Sequence, residues 1–145
     1  MKHLVAFSAF ITASLFANAH CPDLTGTYQC AVGCGVHSET FTQTTTGNVT
    51  TYEERLSLES GSSISWTYVA DGKERPYKHL NGEVSSARAE CMAGYLQIRV
   101  KSKFVGVADG GMRFIRYEEN LTVLAGRIEG TKFDILDQYI CRKVK

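Results

Sequence analysis

The feature that most constrains this chain is the rhythm of its turn signals. Gly47-Asn48, Gly61-Ser62, Asp71-Gly72, Asn81-Gly82, Ala93-Gly94, Asp109-Gly110-Gly111 and Glu129-Gly130 punctuate the sequence. Asn, Asp and Gly tolerate the positive φ that tight hairpin turns demand. The stretches between them run to about eight to eleven residues, the spacing of antiparallel strands in a sandwich or barrel. Links this short join antiparallel neighbours, because a parallel pair needs a long crossover. The expected architecture is therefore all-β, an antiparallel up-and-down sheet of about eight to ten strands. Closing such a sheet into a barrel removes its two exposed edges.

Period-two alternation supplies the strands. In Tyr95 to Phe104, Leu96, Ile98, Val100 and Phe104 share one face, and Gln97, Arg99, Lys101 and Lys103 share the other. That is a half-buried strand with one wet side. Ile64, Trp66, Tyr68 and Ala70 alternate in the same way, as do Tyr28, Cys30 and Val32. Ser85 to Met92 reads as a strand between two hairpin signals. A two-residue turn at Asp71-Gly72 would set Trp66 opposite Tyr77, making an aromatic cluster of Trp66, Tyr68 and Tyr77 on the buried face. A turn at Gly110 would set Phe104 opposite Ile115 and Lys101 opposite Glu118.

The first nineteen residues follow a different logic. Met1-Lys2-His3 is a short positive head, Leu4 to Phe16 is mainly apolar, and Ala17-Asn18-Ala19 offers small residues for cleavage. This is the pattern of a secretory signal, and the apolar run is too short to span a bilayer. The expected organisation is a signal peptide over residues 1–19 and a single β-barrel domain over residues 20–145, secreted or periplasmic. Lys2 accounts for the formal charge of +1, so the remainder is neutral and lacks the basic excess of a nucleic-acid binder. No further run is long enough for a membrane span. Cys21, Cys30, Cys34, Cys91 and Cys141 read as disulfides first in an oxidising compartment, and the odd number leaves one thiol over. The residues alone leave the connectivity open.

Leu24-Thr25-Gly26-Thr27-Tyr28 resembles the opening of the calycin barrels, the lipocalins, avidins and their relatives. These enter their first strand with an apolar residue, a Gly and then an aromatic. The resemblance implies a small up-and-down barrel, with Phe133 to Lys143 as its last strand and Arg142 as the base packing over Tyr28. The barrel it implies makes first and last strands neighbours, so it suggests a Cys30–Cys141 bond. Cys21 would then tie the N-terminal arm to Cys91, leaving Cys34 free.

Candidate chemistry is sparse. Cys30, Cys34 and His37 have the spacing of a partial metal site, but export favours oxidised sulfur, and no metal or other cofactor is expected. No nucleophile, zinc or phosphate-loop motif is present, so no catalytic residue is expected and the chain reads as a non-enzyme. Glu53-Glu54 and Glu118-Glu119 read as solvated surface, since neighbours on a strand point to opposite faces. Asn48 and Asn120, both in glycosylation sequons, should lie at the surface. Tyr28, Trp66, Tyr68, Tyr77 and Phe104 are the candidate ligand-binding residues, lining a lumen for a small hydrophobic or aromatic molecule. Arg75, His79 or Arg88 would supply its polar contacts. The alternative is a solid-cored interaction or inhibitor module that meets a protein partner through loops 33–46 or 105–111.

Overall fold

The structure, a computed structural model, describes residues 20–79, 81–101, 110–129 and 131–145. The expected signal peptide over 1–19, Phe104 and most of the 105–111 loop lie outside them. Ten strands follow one another: β1 Gly26–Cys30, β2 Val36–Thr46, β3 Val49–Leu58, β4 Ser63–Val69, β5 Arg75–Lys78, β6 Val84–Met92, β7 Tyr95–Lys101, β8 Gly110–Tyr117, β9 Leu121–Glu129 and β10 Lys132–Lys143. They form one antiparallel sheet in the order β4-β3-β2-β1-β10-β9-β8-β7-β6-β5. The described residues include no helix.

Period two decides which side chains face inward. Leu96 and Ile98 are fully buried and Val100 nearly so. Leu24, Tyr28, Phe41, Tyr52, Ile115, Leu121 and Val123 are among the other buried members of the core. Tight turns occur where Gly and Asn mark them. Thr46 pairs with Val49 around Gly47-Asn48, and Met92 pairs with Tyr95 around Ala93-Gly94. At the second turn both central residues have positive φ, 38° and 86°, the geometry that matches strand twist. Asn48 is exposed and Asn120 is half-buried.

Three expected features come out differently. Val32 is 99% exposed, because β1 ends at Cys30 and the chain turns at Val32-Gly33. The β7–β8 register places Leu96 opposite Ile115 and Lys101 opposite Gly110. It does not pair Phe104 with Ile115 or Lys101 with Glu118, because Gly110 and Gly111 begin β8 and do not form its turn. Asp71-Gly72 closes no hairpin. β4 and β5 are the two ends of the sheet order, so the ladder stays open between them. The Asp71 carboxylate accepts from Lys73 N at 3.1 Å and from Arg75 at 2.7 and 2.8 Å, and Gly72 N donates to Ala89 O on β6. These bonds carry the chain across the gap to β6.

One end of the barrel is plugged by the N-terminal segment. Leu24 is fully buried. Tyr52 donates to Pro22 O and Tyr28 donates to Leu24 O, each at 2.7 Å. A Cys21–Cys91 disulfide lashes this plug to β6. Cys30–Cys141 joins β1 to β10 across a sequence separation of 111, a loop whose closure restricts the unfolded chain by about 4 kcal/mol. Lys143, the cross-strand partner of Tyr28, sits over its ring at 5.8 Å from the centroid. Register thus gives the role expected of Arg142 to Lys143.

Candidate functional site

The end away from the plug opens into a cavity of about 550 Å³. Val36 of β2, Leu56 and Leu58 of β3, Trp66 of β4 and Tyr77 of β5 form its apolar wall. Arg113 of β8 and Asp137 and Tyr139 of β10 form a polar one, with Cys34, His79 and Asn81 among the remaining lining residues. A larger cavity, about 1280 Å³, surrounds the plug at the other end. Its lining mixes polar side chains such as Asp23, Gln43, Asp71 and Glu90 with Cys21, Pro22, Ala70 and Cys91, holds no Phe, Tyr or Trp among the described residues, and takes part of its wall from the plug itself. The aromatic cavity is therefore the better ligand site.

Trp66 and Tyr77 meet although their strands share no ladder. Their rings stack at 5.7 Å with an interplanar angle of 2°, and the indole Nε1 donates to Lys78 O at 2.7 Å. A side chain therefore bridges the gap where backbone bonds stop. His79 packs edge-on against Tyr77 at 5.0 Å.

Behind the polar wall lies a buried cluster. Arg113 grips Glu54 with both terminal nitrogens, at 2.9 and 2.8 Å. Its Nη2 also lies 3.4 Å from Glu39 Oε1 and 3.3 Å from the Tyr139 hydroxyl, and Nη1 lies 3.4 Å from the Tyr68 hydroxyl. Tyr139 donates to Glu39 Oε2 at 2.9 Å. Glu39 and Glu54 are 0% and 1% exposed, and the Arg113 side chain is 16% exposed. Arg113 also sits over the Trp66 ring at 5.9 Å.

Two carboxyl groups thus share one guanidinium out of water. Burial and the charge of Glu54 push Glu39 well above the usual carboxylate range, more than Arg113 pulls it down. Burial also raises Glu54, but the charge and hydrogen bonds of Arg113 outweigh it, and Glu54 ends below that range. Arg113 and Glu54 form the ion pair of the cluster, and Glu39 beside them is pushed toward its protonated form. An isolated buried charge would be far costlier.

Two bulges aim this cluster inward. The β2–β3 register slips between Val36 and Ser38, so Val36, Glu39 and Phe41 all face the interior. A second slip, between Ile135 and Asp137, precedes the Asp137, Tyr139, Cys141 face of β10. A bulge inserts one unpaired residue and so shifts which side chains face inward.

The sequence candidates divide over this geometry. Trp66 and Tyr77 line the cavity. Tyr68 is buried behind it with its hydroxyl beside Arg113, and Tyr28 is buried at the plugged end. Phe104 is outside the described residues. Of the polar candidates, His79 reaches the cavity and Arg75 is occupied by Asp71. Arg88 lines small pockets elsewhere. Cys30 is tied to Cys141, which removes it from any grouping with Cys34 and His37. Cys34 is free, and its Sγ donates to Val36 O at 3.3 Å.

The expectation of a solvated Glu53-Glu54 pair holds for Glu53, which is exposed and accepts from Thr42 at 3.2 Å. It fails for Glu54. Glu54 shares its strand face with Tyr52, Leu56 and Leu58, a phase signal sufficient to place it inside. Arg113 likewise shares the face of Ile115. Glu39 also shares the face of Phe41, although the bulge before it puts it out of phase with Val36.

No protein-family model matches the chain, and no curated protein sequence matches it. Solved structures do. The chain is similar to a mutant of the REP1-NXSQ fatty acid transporter, with a TM-score of 0.57, 9% identity, and coverage of 84% of this chain and 98% of that one. The REP1-NXSQ fatty acid transporter without the mutation gives 0.55, 11%, and 85% and 97%. Zebrafish ileal bile acid-binding protein complexed with cholic acid gives 0.54, 11%, and 83% and 98%. At these identities the likeness is one of fold: a calycin-like β-barrel, here with its ladder open between β4 and β5.

Proposed function

We propose that this chain is an exported binding protein that takes a small hydrophobic or aromatic molecule into the cavity beside Trp66 and Tyr77. The observation that carries this reading is the cavity itself. At about 550 Å³ it falls within the range of small-molecule sites, and its wall is aromatic and aliphatic with a few placed polar groups. The solved structures of like fold are those of a fatty acid transporter and a bile acid-binding protein, which supports ligand uptake by a barrel of this shape. The Met1 to Ala19 pattern and two disulfides support an oxidising compartment outside the cytosol. Binding, not catalysis, suits a wall whose one arginine is already paired with a buried carboxylate.

Trp66 is the single tryptophan, so its emission reports directly on the cavity. Titration with decanol, a neutral apolar probe, should shift that emission saturably. An emission unchanged up to the solubility limit of the probe would contradict the proposal and favour the solid-cored interaction module.

A further inference from the structure

On and just behind the polar wall of this cavity, carboxyl groups outnumber bases: Asp137 on the wall and Glu39 and Glu54 buried behind it, against Arg113 and His79. A single arginine in an apolar lumen is ordinarily an invitation to a carboxylate, which it binds through paired hydrogen bonds. In this barrel those bonds are taken. Both terminal nitrogens of Arg113 donate to Glu54, and Nη2 also reaches Glu39. The Tyr139 hydroxyl is committed to Glu39. Asp137 adds a third carboxyl group directly on the cavity wall. His79 is the other titratable base there, and its Nε2 lies 2.6 Å from Ser85 Oγ. A carboxylate head placed against Tyr139 would have to break the internal ion pair and would bring a fourth acid. An ammonium head would offset the excess acid, and the aromatic rings of Trp66, Tyr77 and Tyr139 attract cations.

We propose that the cavity selects an apolar ligand bearing an amine head and discriminates against the same chain ending in a carboxylate. This rests on the reading of the cavity as a ligand site. The direction in which Glu39 is pushed accords with it. Burial and the charge of Glu54 raise the proton affinity of that carboxyl, and an ammonium placed nearby would act in the opposite direction.

The test compares decylamine, decanol and decanoate at neutral pH and low salt, each followed by Trp66 emission. Decylamine should bind tightest and decanoate weakest, with about ten-fold or more between them, as expected for opposite against like charge at a few ångströms. In Asp137→Asn, an exposed position, the amine-to-carboxylate ratio should narrow about three-fold. Decanoate binding as tightly as decylamine overturns this proposal and leaves the cavity reading intact. A ratio unchanged in Asp137→Asn also counts against it. Failure of all three probes to bind overturns both readings.

Discussion

Arg113 and Glu54, 59 residues apart, are joined by a two-pronged ion pair at 2.8 and 2.9 Å. The pair links β8 to β3, which are not ladder neighbours, so it acts as a strut between distant walls of the barrel. Replacing both members of a buried pair with apolar groups can be nearly neutral, but removing one strands the other. Arg113→Met should therefore destabilise the protein by about 3–5 kcal/mol in urea unfolding. A loss below about 1 kcal/mol, the range of exposed pairs, would mean that the strut is not desolvated.

Glu39 gives the cluster a pH signature. Its folded-state affinity for a proton exceeds that of an ordinary glutamate, near 4.5. Between that value and its raised one, the folded state holds a proton that the unfolded chain has lost. The stability this contributes is full below about 4.5 and is lost as pH rises through the raised value, at up to ~1.4 kcal/mol per pH unit. Glu54 acts in the opposite sense, since its lowered affinity contributes stability above the ordinary range that is lost in acid. Glu39→Gln, which mimics the protonated form, should flatten the decline above about pH 5. Urea midpoints measured across that range would show it. Parallel profiles for variant and parent would mean that Glu39 is ionised.

Much of this barrel was readable in advance because its main determinants are local. Turn residues and the alternation of Leu96, Ile98 and Val100 fix strands and their inner faces without reference to distant chain. What was not readable depends on register. Asp71-Gly72 has the composition of a hairpin turn, yet its backbone and carboxylate are used to cross to β6, and no short-range rule separates the two uses. Trp66 and Tyr77 meet all the same, because both lie on inner faces beside the gap. The polar cluster was missed for a related reason. Glu54 lies in phase with Tyr52 and Leu56, but an acid is expected outside until a partner is known. That partner, Arg113, is supplied by a strand elsewhere in the barrel.

The gap between β4 and β5 makes Trp66 a structural as well as a ligand-facing residue. Trp66→Phe keeps an aromatic ring but deletes the donor to Lys78 O. A lost hydrogen bond of this kind costs about 0.5–1.5 kcal/mol, and the loss should be local. Amide exchange should quicken over β5, Arg75–Lys78, with β7 and β8 unchanged. Uniform quickening across the sheet would contradict a role confined to the gap.

The three classes of cysteine should separate cleanly. Loss of Cys30–Cys141, by replacing both residues with Ala, should cost about 2–5 kcal/mol. Loss of Cys21–Cys91 should chiefly release the plug, exposing Leu24 and the Tyr52 hydroxyl. Cys34→Ala removes no cross-link and should shift stability by no more than about 1 kcal/mol. Thermal unfolding of the three variants under non-reducing conditions makes the comparison. Equal losses in all three would contradict the assigned connectivity.

The most direct test of ligand uptake at the unplugged end is chemical-shift mapping of the ¹⁵N-labelled protein during titration with decanol. The changes should concentrate at Val36, Leu56, Leu58, Trp66, Tyr77 and Tyr139, and leave Leu24, Tyr28 and Tyr52 at the plugged end unmoved. Changes centred on the plug, or spread over the outer face of the sheet with the cavity residues silent, would contradict the account.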